Sequence, residues 1–166
     1  MEYMLLEMQG DVAIDGETTL TGFDNCIEVL SYSHHLNQAG GASVSRTTGQ
    51  TGSRVDIGDF SIVKVLDKAT PNLALFCCSG KHIPTVVLEI CAASEDKVTY
   101  MKYTMSDAVI ASVRPGGSAN GEGVRPLEEV SFRFAKIEWE YTPFGNDGKP
   151  GAALKAGWDA ATNKKV

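Results

Sequence analysis

Read for its hydrophobic and polar positions, the chain is a series of strand-like runs broken once by helical spacing. The break is Ala69 to Thr85, ATPNLALFCCSGKHIPT, and the neighbouring runs are organised around it. Thr70 reads as a helix cap, and Pro71 falls in the first turn, where its missing N–H is no loss and its fixed φ suits the helix. Leu73, Phe76 and Cys77 stand at i, i+3 and i+4 as one apolar stripe, and Gly80 is placed to take the left-handed conformation that ends a helix. A helix of about ten residues is marginal alone, because nucleation costs more than so few propagation steps return. It needs a sheet to lie on.

Strand signals surround it. Tyr3 to Gly10 mixes apolar and acidic residues and precedes a turn at Asp15-Gly16. Cys26 to Leu36 reads as the next strand: Ile27 and Val29 lead into Ser31 and Ser33 on one face, with Leu30 and Tyr32 on the other. Val55 to Leu66 reads as one long strand, with Phe60, Ile62 and Leu66 on one side and Val63 and Val65 on the other. A face left in water would alternate cleanly, so both sides of that run ask for cover, one from the helix and one from the barrel core or a neighbouring subunit. Thr85 to Ala92 pairs through Ser94-Glu95-Asp96-Lys97 with Val98 to Met105, and Ala108 to Val113 is a short strand closed by Pro115-Gly116-Gly117.

In Leu127 to Tyr141 the apolar positions Val130, Phe132 and Phe134 are even, while Ile137, Trp139 and Tyr141 are odd, which predicts a β-bulge at Ala135-Lys136. Leu154 to Asp159 supplies a last short strand anchored by Trp158, before a frayed tail at Asn163-Lys164-Lys165. Many strands, one short helix and no strand–helix alternation predict a mainly β fold, an antiparallel β-barrel or sandwich of two sheets with one short α-helix on its flank. Residues 1–166 read as a single domain, with an extended loop at 37–53 and a C-terminal linker and short strand at 143–166.

Composition narrows the class. With 166 residues, 43% of them hydrophobic and 22% charged, the chain is long enough to bury a full core. No apolar run approaches the roughly 20 residues of a membrane helix, so membrane insertion is not expected. Met1 to Gly10 carries Glu2 and Glu7 where a secretory leader is basic, which predicts cytoplasmic synthesis without a cleaved signal peptide. A net charge of −6, with Lys and Arg scattered, argues against the basic face that nucleic acid demands.

No catalytic pattern emerges. Cys26, Cys77, Cys78 and Cys91 lack zinc-site or CxxC spacing and read as reduced, mostly buried thiols. His34 and His35 are adjacent in a strand and point to opposite faces, so they cannot share a metal. His82 follows the helix, where an imidazole can bond the last carbonyls. Gly80-Lys81 ends a helix, whereas a phosphate loop opens one, and no Ser or Thr follows the lysine. Glu128-Glu129 and Glu138/Glu140 read as a solvated strand face. Asn37 to Ser53, with four glycines among Ser, Thr and Gln, has too few apolar anchors to order itself, and loops of that length are usually functional or disordered.

The strand end Val65-Leu66-Asp67-Lys68, the helix opening Thr70-Pro71-Asn72-Leu73 and its exit Ser79-Gly80-Lys81-His82 resemble the haemolysin-coregulated protein (Hcp) family, the ring-forming tube subunit of bacterial type VI secretion. The run Ile27 to Ser33, the run Glu128 to Tyr141 and the tail at Gly157-Trp158 fit the family in order and spacing, so the resemblance spans nearly the whole chain. It implies a β-barrel that assembles with itself into a homohexameric ring. Rings would stack into a tube tipped by a spike protein and driven outward by a contractile sheath on a baseplate, with small effector proteins carried in the lumen. The subunit would be made in the bacterial cytoplasm and then secreted, with no cofactor.

By the same resemblance Ser31 and Ser33 face the lumen, although they read equally well as ordinary solvent-facing serines. The long loop, with Gly41, Ser43, Arg46, Thr48 and Arg54, reaches toward the next ring, and Val63, Val65 and Trp158 lie at subunit contacts. Some relatives carry a C-terminal toxin domain, for which a chain ending at Val166 leaves no room. The alternative is a monomeric β-barrel binding module holding a small ligand or carbohydrate among Tyr100, Tyr103, Trp139 and Tyr141.

Overall fold

Twelve elements follow from these runs in the computed structural model, which describes residues 2–12, 14–38, 54–121, 123 and 125–166. They are β1 (Glu2–Gln9), β2 (Ile27–Glu28), β3 (Ser31–Ser33), β4 (Leu36–Asn37), β5 (Asp56–Ile57), β6 (Phe60–Val65), α1 (Thr70–Ser79), β7 (Ile83–Ala92), β8 (Thr99–Gly116), β9 (Leu127–Tyr141), β10 (Leu154–Asp159) and β11 (Lys164–Lys165). Nine strands form one antiparallel sheet in the order β11-β10-β9-β8-β7-β1-β2, with β6 also on β9 and β3 on β6; β4 and β5 form a separate ribbon.

The Cys26 to Leu36 run is three short strands because it keeps changing partners. Residues 27–29 bond to β1, ending with Val29 N–H donating to the Met4 carbonyl at 2.9 Å; from Leu30, which donates to the Val63 carbonyl at 2.8 Å, the chain bonds to β6 instead. One segment thereby ties the two far parts of the sheet together around the core. Val55 to Leu66 is likewise two strands, divided at Gly58, whose N–H bonds the His35 carbonyl at 3.0 Å and where a Cβ would stand 2.1 Å from the His35 ring.

The bulge expected at Ala135-Lys136 is absent. The β8–β9 ladder holds its register across that point, with Ser106 opposite Lys136 and Ala108 opposite Phe134. Both strands change parity together: Met105 and Ile137 are buried before the step in β8, Ala108 and Phe134 after it, and Asp107 adopts φ 51° between them. The register shift lies elsewhere, in β8 between Ile110 and Ser112. Ala108 to Val113 is therefore part of one 18-residue strand.

The helix begins with Pro71 in its first turn and stops at Gly80, φ 63°, as its sequence requires. Thr70 is not its cap. Ala69 holds that position in helical conformation, and the Thr70 hydroxyl is committed elsewhere, accepting from Asp67 N–H at 3.1 Å and donating to Glu128 at 2.9 Å. Leu73 and Phe76 enter the main core beside Phe60, Ile62, Val130 and Phe132. A smaller cluster of Leu5, Cys26 and Cys91 is packed by Tyr3, Leu20 and Phe23. The tail does not fray at Lys164-Lys165, which pair with Asp159 and Trp158.

Candidate functional site

The period-two rule puts alternate residues of β3, β6, β9 and β8 on the side away from the core, and along one row all four are serines. Ser33 faces Ser61, Ser61 faces Ser131, and Ser131 faces Ser112. The Ser61 and Ser131 hydroxyls are 2.9 Å apart, a cross-strand hydrogen bond of the kind that stabilises sheets. The next row runs Ser31, Val63, Glu129, Arg114. Beyond the serines, Arg133 Nε lies 3.4 Å from Asp59 Oδ1. The face holds a depression of about 470 Å³ lined by the four serines of the first row, Asp59, Glu129, Arg114 and Arg133, with Ala111, His34 and His35. Its two carboxylates and two guanidinium groups balance, so it is locally neutral in a chain of net charge −6.

This face brings together Ser31, Ser33 and Val63, residues that the sequence assigned to different surfaces. Ser31 and Ser33 are exposed, and Val63 is half-buried directly between Ser31 and Glu129. Val65 continues the same parity opposite the exposed Leu127. Trp158 stands far from it, on β10. It lines a separate apolar groove of about 400 Å³ with Leu36, Val55, Ile57, Trp139 and Asn163, which the exposed cross-strand pair Tyr141 and Leu154 extends. Of the aromatic residues proposed for a ligand pocket, Trp139 lines this groove, whereas Tyr103 turns to the core and meets the Tyr32 hydroxyl at 3.1 Å. Arg54 is engaged by its own chain, donating to the Ala160 and Ala161 carbonyls. Gly41, Ser43, Arg46 and Thr48 lie outside the described residues.

The sequence missed a buried ionic cluster at one end of the wall. Lys64 shares the inward parity of Phe60 and Ile62 and is fully buried. Its ammonium lies 2.5 Å from Glu128 Oε1 and 2.7 Å from Asp67 Oδ1, and donates to the Val65 carbonyl at 3.0 Å. Glu128 is not part of a solvated face; it is 1% exposed. Its even number, shared with Val130 and Phe132, was the available signal. The cluster bolts the start of α1 to β6 and β9 through Thr70 and through Asp67, which also accepts from Ala69 N–H at 3.0 Å.

Other titratable groups serve packing. The His34 ring sits 5.4 Å from Phe60 and 5.9 Å from Phe134 with both nitrogens buried; burial, then the charge of His35, lowers its pKa, and a backbone hydrogen bond at Gly58 opposes them. Burial pushes the Cys26 thiol up to about 11 and raises Cys91 as well, the opposite of an activated nucleophile. Of the other two cysteines, Cys77 is half-buried and Cys78 exposed. His82 does not bond the helix carbonyls; its Nδ1 pairs with Asp107 at 2.6 Å in the open. Among the described residues no three His, Cys, Asp or Glu side chains gather to hold a metal.

Fold and site together define a small antiparallel β protein that presents a polar wall and buries one ionic cluster for architecture. The model of the family described as "Type VI secretion system effector, Hcp" matches residues 3–141. Protein hcp1 of Pseudomonas aeruginosa is 38% identical over 112 residues, 66% of this chain and 68% of that protein. A solved structure described as a type six secretion system protein superposes with TM-score 0.90 at 28% identity over 100% of both chains. The crystal structure of Hcp1 from Salmonella typhimurium gives 0.79 at 32%, covering 99% of each. The chain belongs to the Hcp family of type VI secretion.

Proposed function

We propose that the chain is a non-enzymatic structural subunit whose copies close into a six-membered ring, that the rings stack into a tube, and that small effector proteins ride inside it. The observation that carries this reading is the serine row crossing four strands, bracketed by balanced charges. Such a wall offers hydrogen bonds in either sense and imposes little field of its own, which suits a channel that must pass proteins of differing charge. Ser31 and Ser33 belong to that wall, and Val63 and Val65 lead from it toward the subunit edge. Ring-to-ring contact falls to Gly41, Ser43, Arg46, Thr48 and Arg54, the last of which also donates to its own chain. A spike protein, a contractile sheath and a baseplate are the further partners, and the route is from the bacterial cytoplasm outward.

The Trp139 and Trp158 groove favours the second reading, a monomeric ligand or carbohydrate module. Negative-stain microscopy with native mass measurement separates the two. Six-fold rings are expected; a single species at the chain mass of 17.8 kDa would overturn the ring.

A further inference from the structure

An asparagine or aspartate side chain can close onto the backbone nitrogen of the next residue when that nitrogen is exposed, unbonded and uncrowded by a Cβ, which singles out pairs whose second member is glycine. The chain has three such pairs, Asp15-Gly16, Asn120-Gly121 and Asp147-Gly148. In two of them the glycine nitrogen is committed. Gly16 is buried and its N–H donates to the Asn25 carbonyl at 2.7 Å, and the Gly148 N–H donates to the Gly145 carbonyl at 2.9 Å. Asn120 and Gly121 differ. Both are exposed, and among the described residues neither the Asn120 side-chain amide nor the Gly121 N–H has a hydrogen-bond partner; what is held is the Asn120 backbone N–H, which donates to Ser118 Oγ at 3.3 Å.

The pair lies past the end of the β8–β9 ladder, whose last register is Gly116 opposite Leu127. Just beyond it a Cβ on Gly117 would stand 2.9 Å from Pro126, the Pro126 carbonyl accepts from Leu66 N–H at 3.1 Å, and Arg125 donates to the Leu66 carbonyl at 3.1 Å. These bonds fix the base of the loop and leave Asn120 and Gly121 at an exposed tip, the place where a chain best tolerates chemical change. Asn120 and Arg125 line one depression of about 430 Å³.

We propose that Asn120 is a site of spontaneous deamidation. The Gly121 nitrogen, having given its proton to hydroxide, attacks Asn120 Cγ; the new C–N bond forms, the bond from Cγ to the side-chain nitrogen breaks, and that nitrogen takes a proton from water and leaves as ammonia. Water then opens the cyclic imide at either carbonyl, giving aspartate or isoaspartate with no change of oxidation state. Each event adds one negative charge to a chain of net charge −6, in the depression that Arg125 lines. The reaction is independent of assembly, since it uses one copy alone.

Incubation of the full chain in mildly alkaline buffer, followed by anion exchange and peptide mapping, tests it. A later-eluting species should accumulate, carrying at residue 120 the mass change of NH2 replaced by OH, and its rate of appearance should rise with pH in step with hydroxide. Asn120→Gln should remove that species. Gly121→Val should slow it severalfold, because a β-branched side chain crowds the attacking nitrogen. If Asn120 keeps its amide while another asparagine or either aspartate–glycine pair changes first, the proposal fails; it fails equally if Gly121→Val ages at the parent's rate.

Discussion

Lys64→Met removes an ammonium from a fully buried site where it touches two carboxylates and a carbonyl. The charges there are one positive and two negative, so the substitution leaves two negatives. Glu128 keeps the Thr70 hydroxyl on one oxygen, but among the described residues its Oε2 has no partner and no second cation pairs with it. Leaving a buried carboxylate unpaired costs about 3–5 kcal/mol. For a chain of this size each kcal/mol moves the melting temperature by about 2–4 °C, which gives a fall of roughly 6–20 °C. Glu128→Gln is the informative contrast, since it leaves Lys64 paired with Asp67 and the local charge balanced; its cost should be nearer 1 kcal/mol, about that of one hydrogen bond. Lys64→Met/Glu128→Leu should recover most of the Lys64→Met loss, because a well-packed apolar pair replaces a buried ion pair at little cost. The assay is urea unfolding followed by Trp139 and Trp158 fluorescence, at one protein concentration because assembly would add a mass-action term. If Glu128→Gln costs as much as Lys64→Met, or the double variant is no better than Lys64→Met, the charge accounting is wrong.

Leu73→Ala, at a position with no exposure, should cost about 2–5 kcal/mol in the same urea assay. Gly80→Ala meets no atom within 4 Å but must hold φ 63°, so the cost is conformational alone, about 1 kcal/mol by thermal melting. His34 has a folded pKa below its usual 6.5, so below that pH the unfolded chain binds the extra proton and stability falls as the solution is acidified. Comparing urea midpoints at about pH 7.5 and about pH 5.5 should show a drop in the parent that His34→Leu reduces.

Where a run of residues does one job, the sequence shows it. Pro71 and Gly80 bracket the helix because each acts through its own backbone, and alternation with one change of phase marks β9. The failures all involve partners. Residues 26–36 look like one strand until the ladder shows them trading β1 for β6 after Val29. Glu128 looks solvated because it is charged, and only its meeting with Lys64 across β6 and β9 makes it interior. Thr70 looks like a cap because its hydroxyl has local donors to satisfy, yet Glu128, 58 residues away, claims it. Ser31 and Ser33 were legible as a small polar face, but Ser61, Ser131 and Ser112, which complete the row, come from three other strands and carry no local mark.

The parity change in β9 was also legible, though its cause was not. An inserted residue in one strand would slip every pairing beyond it by one and send the wrong faces inward. Here Met105 opposite Ile137 and Ile110 opposite Phe132 keep the same register, so β8 and β9 must step together, and Asp107 supplies the step at φ 51°. The step falls where β9 exchanges β6, paired up to Phe132, for β10, paired from Lys136. It lets one strand send Phe132 to the core and Ser131 to the wall, then turn Ile137 inward over the second half of the sheet. If that left-handed residue is what holds the step, Asp107→Gly should be tolerated, losing only an exposed pair with His82 worth a few tenths of a kcal/mol. Asp107→Val must hold a β-branched side chain at positive φ and should cost about 1–2 kcal/mol more. Equal melting temperatures for the two variants would show that the step is set by packing on either side and not by the backbone of Asp107.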